Sequence, residues 1–505
     1  MRRAPASRLA RLALAVVCTT TGWMALTGWT TLGISPSGAS TTALSAALKN
    51  PVWHVTLPDA GHPIAESSTN VATLDGGGPA VVVGDRAGKV YAYHLGGSSG
   101  GVPTAVAGWP TQDGGAPIDA TPSVATLGGS NLDSVFVGSG NATHPTVGGY
   151  QAYGPSGNGL WNAAVVDPAS DTQPAQGVQA SLAVGNLQGS TDVVAGSLDQ
   201  EEYALDAGHG STLKGWPFFT SDSVFSTAAL ADLYGTGQTE VVEGGDQTAG
   251  FGNGRTYTQG GHLRVLNSQG GLICHYDTNQ TVHSSPAVGA FLAGGATGIV
   301  VGTGSYFGGA SDSNTVKAFN SDCGLQWSTT LAGYTTSSPA LADLTDNGTL
   351  DVVEGVTTST GQGAVSALTG ATGKVLWTTP VPDAVLGSVV TFDMAATGHE
   401  DVLVPMYPTS GAPTAQGVDV LDGATGAVIT SFATNLGFQS SPLVTDDPTG
   451  SIGITVAGYG GATDVGWIEH YVIPGTDGAA AVGNGAWPEF HHDPQLTGNA
   501  GGTPA

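Results

Sequence analysis

Residues able to do chemistry are few and scattered. His491-His492-Asp493 sets two imidazoles beside a carboxylate, a group that binds metals or relays protons when its nitrogens converge. Consecutive side chains on an extended strand point to opposite faces, so the two rings are expected to diverge within a closing segment. Cys274 and Cys323 either pair in an oxidising compartment or remain one packed thiol and one turn thiol. Aligning the repeats described below puts Cys274 in an outermost strand and Cys323 four positions earlier, in a turn of the next unit. That offset strains the Cα separation of roughly 7 Å that a bridge permits. Asn141-Ala142-Thr143 and Asn279-Gln280-Thr281 are acceptor sites only in a glycosylating host. The sequence has no nucleophile elbow, phosphate-binding loop, zinc-ligand spacing or vicinal cysteine pair, and runs such as Gly76-Gly77-Gly78 read as turns. No catalytic residue is assigned.

Charge narrows the partners. Arg2, Arg3, Arg8 and Arg11 precede an apolar stretch at residues 12–34 and small residues at 35–46. This order predicts a secretory signal peptide over 1–39, cleaved after Ala39, with an uncleaved membrane anchor through residues 12–34 as the rival. Cys18 is a poor lipidation site because Val17 stands where a small residue is needed. Without the leader, 8 basic residues face 39 acidic ones. Such a surface repels phosphate backbones and anionic membranes, which excludes nucleic acid and leaves cations, neutral glycans or a basic protein face. The expected location is extracellular or at the cell surface.

The order of the chain lies in a repeat. Ser337-Ser338-Pro339-Ala340-Leu341-Ala342-Asp343 runs into Asp351-Val352-Val353-Glu354-Gly355, and Phe225-Ser226-Thr227-Ala228-Ala229-Leu230-Ala231-Asp232 runs into Glu240-Val241-Val242-Glu243-Gly244. The second strand of each copy closes at Gly84, Gly138, Gly196, Gly244, Gly302, Gly355, Pro405 and Gly458, a period of 48 to 58 residues. An alternating third strand follows, then a turn and often a tryptophan: Trp109, Trp161, Trp216, Trp327 and Trp377, with Cys274 and Phe432 in that place elsewhere. Four short strands per unit at this period predict an all-β, eight-bladed propeller of antiparallel blades behind an N-terminal apolar leader helix. Seven blades, should the irregular unit ending at Pro405 not count, and an open solenoid are the alternatives. Gly at 80 of 505 residues and an apolar fraction of 40% suit a turn-dense ordered chain with almost no helix beyond the leader.

The propeller is placed at residues 51–475, after a linker at 40–50 too rich in small residues to pack, and before a closing segment at 476–505. Pro51-Val52-Trp53-His54-Val55-Thr56-Leu57 reads as a fourth strand with no first three before it, so it completes the eighth blade. Ala486-Trp487-Pro488 competes for that role, because it resembles Gly108-Trp109-Pro110 and Gly215-Trp216-Pro217.

The units from residues 70 to 458 resemble the FG-GAP/VCBS repeats of integrin-alpha-like propellers. Their second halves, such as Ala367-Leu368-Thr369-Gly370-Ala371-Thr372-Gly373-Lys374-Val375-Leu376-Trp377, resemble the strand-turn-strand motif of quinoprotein (PQQ-like) propellers. The tail from Trp487-Pro488-Glu489-Phe490 to Leu496-Thr497-Gly498 is similar to a closing motif of such secreted repeat proteins. The FG-GAP resemblance implies a calcium loop with donors at positions 1, 3, 5 and 9 around a glycine, and Asp343, Thr345, Asn347, Gly348 and Asp351 match it. The fourth loop has Tyr234 and Thr236 at donor positions and the seventh has Ala395 and Thr397, so both read as metal-free turns. The expected role is a monomeric binding or adhesion scaffold for a glycan or protein ligand, with calcium as the candidate cofactor. The loops at residues 96–108, 141–149, 245–261 and 306–313 are where it would act. A calcium-dependent polysaccharide lyase and a quinoprotein-like dehydrogenase are the enzymatic alternatives. Scattered basic residues suit the first poorly, and the absence of a vicinal cysteine pair the second.

Overall fold

The computed structural model describes residues 41–111, 115–166, 175–248, 259–409, 417–432, 437–460, 465–483 and 485–501. The leader, with its expected helix and possible tether at 12–34, lies outside them. Eight antiparallel sheets follow one another along the chain, seven of four strands and one of three. The second strands are largely buried, along their whole length in Ala80–Gly84, Asp192–Gly196 and Asp351–Thr357. Outermost strands alternate instead, as in Leu272–Thr278, because only one face meets the next blade. Pro405 ends a regular second strand, Asp401–Pro405, paired with Val418–Leu421, so the irregular unit is a blade and the count is eight.

The chain ends meet in the eighth blade. Leu443–Asp446, Ile452–Gly460 and Val465–Ile473 are joined by Trp53–Thr56, with Trp53 opposite His470 and Thr56 opposite Trp467. The first blade has only Asn70–Ala72, Ala80–Gly84 and Val90–His94 as regular strands. Its fourth is an irregular segment held to the third by the Tyr93–Ala105 bridge and by backbone bonds including Val106 N–H to the Ala92 carbonyl at 3.0 Å and Thr111 N–H to the Val90 carbonyl at 3.0 Å.

Neighbouring blades are clasped at the outer strand. Trp109, Trp161, Trp216, Trp327 and Trp377 each donate their indole N–H to a backbone carbonyl of the following blade, at Pro155, Ala207, Ser268, Gly370 and Gly423 respectively. Trp53 does the same from blade 8 to Leu95 of blade 1, at 3.0 Å. Phe432 packs edge-on against Tyr471, 5.0 Å between ring centres. Cys274 takes the remaining place and is disulfide-bonded to Cys323, Cα atoms 5.8 Å apart. The register offset read from sequence is absorbed by the turn, where Cys323 adopts a left-handed φ of 59°. Gly373 shows why the clasped turns carry glycine: at φ 66°, a Cβ would stand 2.4 Å from the Trp327 ring.

Two expectations are corrected. Residues at the linker do pack: Thr41–Ala47 is a helix, and Leu44 and Leu48 are buried in the core of blades 7 and 8. Two leucines four apart suffice to anchor one helical face despite the small residues around them. The C-terminal segment, for its part, is not a blade strand. It runs across the ends of the innermost strands, accepting backbone N–H bonds from Thr391, Val444, Val124, Val184, Leu230 and Val288 at Trp487, Pro488, Pro494, Gln495, Thr497 and Gly498, all at 2.7–2.9 Å. Asn70 of blade 1 adds a side-chain bond to Pro494. The tail thus ties together the inner strands of seven blades and stoppers one end of the axial channel.

Candidate functional site: the axial funnel

The Ser/Thr of each repeat faces the axis. Ser68, Thr121, Ser181, Thr227, Ser285, Ser338, Ser388 and Ser441 form a closed circle in which every backbone N–H donates to the next hydroxyl. The distances are 2.8–3.2 Å. With side chains alternating along a strand, the residue two positions earlier also faces the axis. That second tier is Glu66, Asp119, Gln179, Phe225, His283, Thr336, Leu386 and Gln439, one from each blade. The two tiers line a cavity of about 310 Å³, and Phe490 of the tail meets it from the stoppered end.

The second tier is two-sided. On blades 1 to 3, Arg86 clamps Asp119 with two bonds of 2.8 Å and lies 3.6 Å from Glu66, while Gln179 donates to Glu66 at 2.7 Å. Asn141, from one of the predicted binding loops, donates to Asp119 at 2.8 Å. Across the axis, Phe225 packs on His283 with ring centres 4.6 Å apart, and Thr336 and Leu386 continue the less polar side. Gln439 donates to the Tyr459 hydroxyl, which pairs with that of Tyr407 at 2.6 Å.

The electrostatics follow from enclosure. Glu66 is wetted by the funnel yet ringed by protein, and this desolvation, reinforced by Asp119, pushes its carboxyl up to about 7. Burial alone would lower His283, but the Asp246 carboxylate 3.0 Å away raises it overall. Burial raises the nearby Asp222 as well. The funnel therefore offers proton-sharing acids and a histidine, with its guanidinium already engaged.

The sequence-predicted residues lie elsewhere. Asp343, Thr345, Asn347 and Asp351 share one loop at the tail-side end of the strands, the end opposite the funnel mouth. Asp343 accepts the backbone N–H groups of Asn347 and Gly348 at 3.0 and 2.6 Å, and Thr345 donates to Asp351 at 3.1 Å. Burial pushes Asp351 up to about 6. His491 and His492 sit in a turn, not a strand. His491 is buried between the carbonyls of Leu496 and Pro286, and His492 packs edge-on against Trp487, so the rings diverge as expected for a different backbone reason. Of the predicted binding loops, 141–149, 306–313 and the described parts of 245–261 join second to third strands on the funnel side. The segment 96–108 lies on the tail side. Sequence reasoning missed the second tier, whose signal was present: the residue two before each repeat hydroxyl.

No protein-family model matches the chain, and no curated protein matches it significantly. Among solved structures it is similar to BamB from Moraxella catarrhalis (14% identity, TM-score 0.50, covering 83% of this chain and 96% of that one). It is also similar to the quinohemoprotein alcohol dehydrogenase ADHIIG from Pseudomonas putida HK5 (13%, 0.54, 86% and 77%). A third is Sqt1 from Saccharomyces cerevisiae (11%, 0.55, 84% and 99%). At such identities the likeness is one of fold, and proteins so differently described on one fold leave function to the site.

Proposed function

We propose that this chain is an exported or surface-tethered, monomeric propeller that binds a neutral glycan in its axial funnel, a protein ligand being the rival occupant. One observation carries the reading: a single cavity joins a hydrogen-bonding arc, Glu66, Asp119 and Gln179, to an apolar arc headed by Phe225. A sugar ring has the same two-sidedness, hydroxyls at its edge and C–H groups on its face. Export and tethering rest on the basic-apolar-small order of the leader, and the acidic surface disfavours anionic partners. Within this reading the repeats are of FG-GAP/VCBS type, and the loop of Asp343, Thr345, Asn347 and Asp351 is its candidate calcium site.

Neither enzymatic alternative fits the residues as well. An anionic quinone or a uronate polymer would meet Glu66 and Asp119, and the Arg86 that could answer its charge is held twice by Asp119. A quinone absorbance band in the purified protein, or unsaturated-uronate absorbance after incubation with pectic polymers, would reverse this ranking.

Glycan-array screening followed by calorimetry tests the proposal. Phe225→Ala and Gln179→Ala should each weaken a neutral-glycan hit at least tenfold with the melting temperature held. No binding to any neutral glycan, or wild-type affinity in both variants, overturns it. For the loop, calcium titration of the wild type and Asp351→Ala decides, and equal heats dispose of the site.

A further inference from the structure

On the tail-side rim, at the opposite end of the strands from the funnel, blade 7 gathers a set of metal-ligating groups. His399 and Asp401 come from the start of its second strand, and Asp422 from the turn after its third. One potential ligand atom from each lies within 4.8 Å of the others. Asp401 is buried while His399 and Asp422 are half-buried, so the group is both enclosed and reachable. Asp422 is fixed by accepting the Thr425 N–H and hydroxyl through Oδ1, at 2.8 and 2.7 Å.

A second observation concerns the neighbouring carboxyl. Glu400 is only 3% exposed, and its Oε2 has no hydrogen-bond partner. In the chain it stands between His399 and Asp401, two of the three groups of the cluster. A carboxylate withdrawn from water without a donor is costly, and either a proton or a cation relieves it. Among the described residues, no Lys or Arg forms an ion pair with Asp393, Glu400, Asp401 or Asp422. His399 also meets Asp346 of the blade 6 loop, Nδ1 to Oδ2 3.3 Å.

We propose that His399, Asp401 and Asp422, supported by Glu400, bind a divalent transition-metal ion of the Zn²⁺ or Mn²⁺ class. An imidazole nitrogen with carboxylate oxygens is a borderline donor set that suits such ions. Ca²⁺ prefers six to eight oxygens and gains little from imidazole. Tetrahedral Zn²⁺ holds its ligand atoms about 3.3 Å apart, so the cluster contracts by small side-chain adjustments as the ion enters. Through His399 and Asp346 the ion stiffens the junction of blades 6 and 7.

The test is calorimetry and thermal melting of the full chain, stripped with chelator, against ZnCl₂, MnCl₂ and CaCl₂. One equivalent of Zn²⁺ or Mn²⁺ should bind and raise the melting temperature. Asp422→Asn and His399→Gln, both near-isosteric and checked for fold by circular dichroism, should each lose at least tenfold in affinity. Asp351→Ala should leave Zn²⁺ and Mn²⁺ binding unchanged, which separates this site from the sixth loop. No heat with either transition metal, preference for Ca²⁺, or an Asp422→Asn variant that binds like the wild type overturns the proposal.

Discussion

The backbone N–H of Ser441 donates to the hydroxyl of Ser68 at 2.9 Å, joining residues 373 positions apart and closing a circle of eight such bonds around the axis. The remaining seven link adjacent repeats in the same way, so one repeated hydroxyl sets blade spacing throughout. Both hydroxyl residues serve, since Thr121 and Thr227 occupy the same place as the six serines.

Ser338→Ala should therefore leave the Ser285 N–H without its partner and cost about 1–3 kcal/mol. Ser338→Thr should cost far less, because threonine restores the acceptor. Urea unfolding of the two variants checks the contrast, and equal destabilisation would mean volume, not the hydrogen bond, governs the position.

Both chain ends carry closure, by different means. Trp53 is 1% exposed and holds blade 8 to blade 1, so Trp53→Ala should cost about 3–5 kcal/mol. Deleting residues 40–57 should lower stability further by baring the edge of Val465–Ile473. Removing residues 485–505 should instead open the stoppered channel. Hydrogen exchange should then accelerate at the amides of Val124, Val184, Leu230, Val288, Thr391 and Val444. An N-terminal deletion that melts like the full chain would overturn the clasp role of Trp53–Thr56.

The Cys274–Cys323 bridge spans 49 residues and replaces a tryptophan clasp. Under reducing conditions, or as Cys274→Ala, the chain should lose about 2–4 kcal/mol. Guanidinium midpoints with and without reductant measure it. No change in either would show that packing alone holds blades 4 and 5.

Acids enclosed by protein, fully for Glu202 and Glu489 and partly for Glu66, give stability a pH slope of definite sign. Glu66 is raised to about 7, and burial raises Glu202 and Glu489 well above the usual carboxylate range, for Glu202 reinforced by Glu243 and for Glu489 by Asp493. Each holds a proton in the folded state after the unfolded chain has released it, so its stabilisation is full below 4.5 and fades as pH rises. The melting temperature should fall from about pH 5 to about pH 8, and Glu202→Gln with Glu489→Gln should flatten that fall. Carboxyl NMR should place the Glu66 midpoint near 7 and move it downward in Asp119→Asn, which removes a repelling charge and frees Arg86. An unmoved midpoint would remove Asp119 from the account.

The blade count, the strand order, the fourth-strand role of Trp53 and the outer-strand aromatic of seven blades were legible in the chain, because each depends on a local pattern that recurs from blade to blade. Residues 40–50 misled, since two anchoring leucines among small residues look like a linker until a surface is present to receive them. Three matters belonged to tertiary structure alone: the path of the tail across seven inner strands, the reach of Cys323 to Cys274, and the meeting of Glu66, Asp119, Gln179 and Phe225 in one cavity. A propeller repeats its strands locally but makes its site only at the axis, where residues some fifty positions apart converge after the ring has closed. No spacing within one repeat encodes which side chains from the other seven will stand opposite it.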